Sequence, residues 1–205
     1  MNHFDRPRRI VVGVSGASGA AYSVRVIQGL LSGGTEVHLV ISKHGRRLLL
    51  EELDIKDITP ESLGVPSFDK LVQHPVNDVG SVISSGSFLT DGMVICPCSS
   101  HTLGAIAAGL GENLIHRAAH VTIKEMRRLV IVPREMPMSR IDLVNSLRLN
   151  EAGAVICPAA PGFYLRPTTV EELVDFVAGK VLDLLDVPHD MQTRWTGEVP
   201  QEKTS

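Results

Sequence analysis

Wherever a short apolar run of this chain ends, side chains able to bind anions or move protons follow. Ser15, Gly16, Ala17 and Ser18 follow Ile10 to Val14, and Ser42 and Lys43 follow Val37 to Ile41. Pro97, Cys98, Ser99, Ser100, His101 and Thr102 follow Met93 to Cys96. Arg134 and Glu135 follow Leu129 to Val132, and Tyr164 stands beyond Ala154 to Cys157. Glycine-rich turns that open helices attract anions, because a helix start carries unpaired N–H donors and a positive dipole end. The segment RIVVGVSGASGA reads as such a turn, with glycines at 13, 16 and 19. It lacks the G-x-G of a dinucleotide fingerprint, and Ser42 and Lys43 stand where an acidic residue would grip a ribose. The expected ligand is a mononucleotide, its phosphate cradled where the first helix begins.

Ser99 or Ser100 also suits a plain helix cap, a role compatible with facing an anion. If Arg134 and Glu135 are withdrawn from water they must pair, and Glu135 then suits proton transfer. Arg117 and Lys124, seven residues apart, share one helix face that serves either as a second anion site or as a solvated basic flank. His116 and His120 lack the acidic companions of a metal site and read as incidental.

The elements that must position these groups follow from hydrophobic pattern. Continuous apolar runs separated by helix-period segments mean strands covered on both faces, so the fold class expected is α/β, one domain with a doubly wound parallel sheet. Five central strands are counted, with helices over Ala20 to Leu31, His44 to Glu52, Thr102 to Leu110, Asn113 to Met126, Ser139 to Glu151 and Val170 to Leu185. Asp54 to Gly92, with three prolines and two serine–glycine clusters, reads as a loop-rich functional insert. The repeated Val-Ile-Cys-Pro at 94–97 and 155–158 reads as two strands closed by proline. The domain is placed at 1–187, with a partly mobile tail over 188–205.

Composition narrows the function classes. With 205 residues and 43% hydrophobic content the chain can bury one sizeable core. A net charge of -3 and 4% aromatic residues argue against nucleic acid. The polar start MNHFDRPRR precedes too short an apolar run for a leader or membrane span, so a cytoplasmic protein is expected. Cys96, Cys98 and Cys157 lie in or beside apolar runs and read as reduced core thiols, not as disulfides or a metal clip.

In order along the chain, GVSGASGAAYSVRV, EVHLVISK, SSGSF, DGMVICPCSSHTLGAI, NLIHRAAHVTIKEMRRLVIVPREMP and GAVICPAAPGFYLRP resemble the signature blocks of the UbiX-type flavin prenyltransferases. The resemblance runs from Arg9 to about Val187. It implies a metal-independent, Rossmann-like flavoprotein that joins a dimethylallyl group from dimethylallyl phosphate to N5 and C6 of reduced FMN. The product, prenylated FMN, would serve a UbiD-type decarboxylase. Position by position, the resemblance assigns Gly16, Ala17, Ser18, Ser42, Ser99, Ser100, His101, Thr102 and Arg134 to FMN. It assigns Arg117, Lys124, Tyr164 and Lys180 to the prenyl phosphate, and Glu52, Glu135 and Ser18 to catalysis. It also implies a large homo-oligomer, a dodecamer, with pockets where subunits meet.

The chain departs from this pattern at Lys180, where arginine is expected in many relatives; an ammonium neutralises phosphate without the bidentate fork. Ala159, Ala160, Phe163 and the GAIAAGL segment are expected to form an apolar wall around the allyl group. Trp195 either covers a neighbouring pocket or anchors the tail. Two alternatives remain open at this point, an FMN-dependent cysteine decarboxylase and a non-catalytic flavin carrier. The first expects a Pro-Ala-Ser-Ala-Asn-Thr block and an early catalytic histidine; the corresponding block here is Pro97-Cys98-Ser99-Ser100-His101-Thr102, and His38 is the first histidine beyond the first helix. The second leaves Glu52, Glu135 and the basic set without a task.

Overall fold

A computed structural model describes residues 6–191, 193 and 194. Six parallel strands form one sheet: β1 (Arg9–Val14), β2 (Glu36–Ile41), β3 (Leu71–His74), β4 (Gly92–Cys98), β5 (Leu129–Pro133) and β6 (Val155–Ile156). Their spatial order is β3-β2-β1-β4-β5-β6, so the direction of winding reverses between β1 and β4. Crevices at the carboxyl ends of strands flanking such a reversal are where open α/β sheets bind ligands.

Alternation along the strands divides the core into two layers. Ile10, Val12, Val14, Val94, Cys96, Val130 and Val132 face one layer. Helices α1 (Ala20–Ser32), α2 (Lys43–Leu53) and α7 (Val170–Leu184) cover it through side chains such as Ile27, Leu49 and Leu182. Val11, Met93, Ile95, Leu129 and Ile131 face the other layer, against Leu103 of α4 (Ser100–Ala107), Ile115 of α5 (Leu114–Lys124) and Leu149 of α6 (Arg140–Glu151). Both faces of β1, β2, β4 and β5 are dry, which is why their sequences read as continuous apolar runs.

The sheet has one strand more than the sequence count. The segment expected to be a loop-rich insert contains a short helix α3 (Pro60–Leu63), the edge strand β3 and a 3-10 turn over Val82–Ser84. Val72 and Gln73 of β3 are exposed, so this edge strand lacks the apolar run that marks the others. Pro97 does not close β4 as expected: pairing resumes at Cys98 after a register shift, and the irregularity accommodates a residue without an N–H. The second Val-Ile-Cys-Pro does end its strand, at Ile156. The described part of the tail is fastened down, with Met191 buried in the core and His189 and Arg194 both bonded to Asp183. Trp195 lies outside the described residues.

Candidate active site

The turn after β1 is tied to the turn after β4 by a buried serine. Ser15 donates from Oγ to the Pro97 carbonyl (3.0 Å) and accepts from Ser99 N–H (2.8 Å). Ser99 caps α4 by accepting from Thr102 N–H at 3.3 Å, and donates to Thr102 Oγ1 at 3.2 Å. This capping leaves the N–H groups of Ser100 and His101 without helical partners, as at any helix start. Ser42 caps α2 through Gly45 N–H (2.9 Å) and is itself held by the Val14 carbonyl. The carboxyl ends of β1, β2 and β4 thus converge on one crevice rimmed by hydroxyls and two capped helix starts.

The phosphate cradle expected at the start of α1 is taken by the chain itself. Glu52, from the last turn of α2, accepts from Gly19 N–H (2.9 Å) and Ala20 N–H (2.8 Å). A carboxylate is the favourable occupant of a positive helix end. The N–H groups at the start of α1 are therefore occupied, and Glu52, which the resemblance assigns to catalysis, stands beside Ser18. Gly19 adopts φ 112, and a Cβ there would stand 2.8 Å from the Tyr22 ring, so conformation and space both demand glycine.

Arg134 and Glu135 are not paired with each other. Arg134 donates from Nε to the Ser18 carbonyl at 3.0 Å, which lays its guanidinium along the glycine turn. Glu135 is exposed and accepts from Ser100 Oγ (3.2 Å) and Met136 N–H (3.2 Å). Both still border the crevice, since β5 delivers them beside β4. Thr102 is buried with its hydroxyl turned to Ser99, while Gly16, Ser18 and His101 are exposed and Ala17 is buried. The GAIAAGL segment does not line the crevice with Ala105 and Ile106, which are buried in the core beneath α4.

The four residues assigned to the prenyl phosphate do not come together in one chain. Tyr164 follows β6 at the carboxyl edge, its ring edge-to-face with Phe176 at 5.6 Å. Lys180 is exposed on α7 and close enough to Cys157 to draw that thiol's pKa down against the larger upward push of burial. Arg117 and Lys124 sit on α5, across the sheet from α7, and Lys124 closes that helix just before β5 begins at the opposite, amino edge. Within its own chain Lys124 Nζ meets only a surface partner, Glu125, at 3.4 Å among the described residues.

Sequence reasoning overlooked Asp142, a buried carboxylate one turn into α6. Its signal was the Ser139-x-x-Asp142 capping box, which the structure contains. His38 belongs elsewhere: it is buried within β2, bonded to Glu36 and His74 at 2.9 Å each. Burial pushes its pKa down. Burial likewise pushes the Cys96 and Cys98 thiols far up, and all three cysteines are unbridged.

A six-stranded parallel sheet with hydroxyls, an arginine and free helix-start donors at its point of reversal defines a nucleotide-binding α/β protein of the flavoprotein kind. The family model described as "Flavoprotein" matches residues 1–182. Flavin prenyltransferase UbiX of Halalkalibacterium halodurans is 44% identical over 191 residues, covering 91% of this chain and 93% of the relative. The crystal structure of AnUbiX (PadA1) in complex with FMN and dimethylallyl pyrophosphate has a TM-score of 0.83 and 41% identity, covering 94% of this chain and 100% of the other. A dodecameric FMN-dependent Ubix-like decarboxylase from Escherichia coli O157:H7 has a TM-score of 0.82 and 39% identity, covering 92% and 100%. The chain belongs to the UbiX-type flavin prenyltransferases of the flavoprotein family.

Proposed function

We propose that this protein joins a dimethylallyl group, taken from dimethylallyl phosphate, to N5 and C6 of reduced FMN. The prenylated FMN it releases would go to a UbiD-type decarboxylase, and the enzyme would work in the cytoplasm as a homo-oligomer; no helix among the described residues is long and apolar enough to cross a membrane. The observation that carries the reading is the crevice itself. Its polar set, formed by the Ser18, Ser42 and Ser100 hydroxyls, the free N–H groups of the α4 start and Arg134, suits a phosphate and the polar rim of a flavin.

FMN bound there supplies an electron-rich ring whose N5 and C6 can both form bonds to carbon. The chain's part is to stabilise a departing phosphate, to exclude water and to move the protons lost from N5 and C6 and gained by the allyl double bond. Allylic C–O cleavage needs fixed cations around the leaving group, which Lys124, Arg117 and Lys180 supply with the Tyr164 phenol. Since the sheet separates Lys180 from Arg117 and Lys124, this set closes only when copies of the chain face one another. The exposed Met136, Ile141, Leu143, Val144 and Leu147 of α6 and its entry provide an apolar face for such a contact. Ring closure turns the allyl double bond into the new bond to C6, its other carbon taking up a proton as C6 releases one, and Glu135 borders the crevice as acceptor of the C6 proton. Glu52, anchored on the turn that carries Ser18, would serve the protons at the N5 side.

The cysteine decarboxylase reading loses its histidine, because His38 is enclosed between Glu36, His74 and Phe88 away from the crevice. Anaerobic incubation with reduced FMN and dimethylallyl phosphate tests the proposal. The expected result is a flavin heavier by C5H8 and an equivalent of inorganic phosphate; an unaltered flavin retained by the protein would instead establish a carrier.

A further inference from the structure

Next to Lys124 the chain places a carboxylate to which the proposed reaction gives no task. Glu125 is the C-cap of α5, with Oε1 3.4 Å from Lys124 Nζ and Oε2 4.0 Å from Arg127 Nη2. A carboxylate at the C-terminal end of a helix meets the negative pole of the dipole, so the helix itself gains nothing from this one. Its surroundings nevertheless hold it. Arg127 donates from Nη2 to the Gly86 carbonyl (2.5 Å), and from Nη1 to the Phe88 carbonyl (2.9 Å) and Thr90 Oγ1 (3.3 Å), which fastens the 86–90 segment to the end of α5. Gly86 then stands against the carboxylate: a Cβ there would come 2.1 Å from Glu125 Oε1. The same oxygen thus meets the Lys124 ammonium and fills the space that a side chain at position 86 would need.

We propose that Glu125 is a specificity-determining residue for the prenyl donor, favouring an allylic monophosphate over the corresponding diphosphate by like-charge repulsion. The inference rests on the reading of Lys124 as a contact of the prenyl phosphate. A phosphate oxygen bonded to Lys124 Nζ lies about 2.8 Å from it. With Glu125 Oε1 3.4 Å from the same nitrogen, carboxylate and phosphate oxygens stand no more than roughly 6 Å apart, inside one Debye length at physiological salt. Repulsion across such a gap scales with the charge of the donor. A monophosphate ester carries about -2 at neutral pH and a diphosphate ester roughly one charge more. In a water-like dielectric at low salt, that additional charge costs about threefold in affinity, and more where the site is drier. Lys124 supplies the attraction and Glu125 the counterweight; together they make a subsite less positive than the ammonium alone, which suits the donor of lower charge.

Donor discrimination in the assembled enzyme with reduced FMN tests this. The quantity read is the KM for dimethylallyl diphosphate divided by that for dimethylallyl phosphate, with a competitive inhibition constant in place of the first where the diphosphate does not react. At low ionic strength Glu125→Gln should lower this ratio about threefold or more, with kcat for the monophosphate within twofold. Glu125→Asp, which keeps the charge, should hold the ratio within twofold of wild type. Salt at about 0.5 M should erase most of the difference between wild type and Glu125→Gln, a response that a loosened 86–90 segment would not show. A ratio unmoved by Glu125→Gln, or moved as far by Glu125→Asp and regardless of salt, would overturn the proposal. Lys124→Ala separates the inference from the reading beneath it and should raise the KM for both donors. Values left unchanged would remove Lys124 from the donor site and the inference with it. Raised values, with a ratio indifferent to Glu125→Gln, would leave that reading standing and sink the inference alone.

Discussion

At the residue scale, chemistry divides between groups already in place and groups waiting for a partner. Glu135 is in place at the crevice with its oxygens fixed by Ser100 and Met136. Replacing Glu135 by Gln should leave FMN affinity within twofold and slow product formation roughly 10²-fold or more, the usual contribution of a positioned acid or base. Unaltered turnover in that variant would take Glu135 out of the reaction. On the proposed reading, Lys124 and Lys180 reach the prenyl phosphate only in the assembly. Replacing Lys180 by Arg should lower the KM for dimethylallyl phosphate, since a guanidinium grips phosphate in two-toothed fashion where an ammonium offers a point charge. A KM that rises would place Lys180 away from the phosphate. The residues of the crevice were legible in the sequence because each follows directly on a strand, where the fold has few options. What was not legible was their pairing. Arg134 with Ser18 and Glu52 with the α1 start are contacts between turns that lie 116 and 33 positions apart in sequence, and no local pattern encodes them.

At the element scale, the five apolar strands and the helices between them could be read because burial on both faces leaves a signal in every position. The edge strand β3 could not, since only Leu71 of its four residues is buried. Its role is visible in the cluster it closes, in which His38 Nδ1 meets His74 Nε2 at 2.9 Å and His74 Nδ1 meets Ser81 Oγ at 2.8 Å. Burial lowers the pKa of His38 and His74, and of the fully buried His116, from 6.5. The unfolded chain binds protons as pH drops below about 6.5, whereas the native histidines resist until their lower values are reached. Stability is therefore complete above that pH and is lost on acidification through the window beneath it, by at most about 1.4 kcal/mol per pH unit for each histidine. Thermal melting should show Tm falling from pH 7 toward pH 5, with a shallower slope in His116→Gln. A Tm flat across that range would mean that these histidines titrate freely in the native state. Aspartates lowered by their partners, Asp91, Asp142 and Asp183, act at more acid pH, below 3.8, and do not confuse the window.

At the scale of the whole molecule, the proposed function makes one chain half of a catalyst. It owns the nucleotide crevice, yet Lys124 and Arg117 sit on α5, across the sheet from the α7 helix that carries Lys180. The apolar side chains left exposed on α6 and at Met136 mark where further copies would seat. Replacing Leu147, 57% exposed, by Glu should shrink the particle seen by light scattering while far-ultraviolet circular dichroism stays unchanged. A wild-type monomer in that measurement would contradict the assembly. Pockets where subunits meet came from the resemblance alone, for a physical reason: spacing along the chain says which residues share a helix face, never which copy they face. The most direct test is therefore complementation. Lys124→Ala and Lys180→Ala chains should each be close to inactive as pure assemblies. Co-assembled, with mixing verified by native mass spectrometry, they should regain prenylation, because some sites then receive an intact Lys124 from one chain and an intact Lys180 from another. Verified mixed assemblies that remain as inactive as their parents would contradict a site shared between chains.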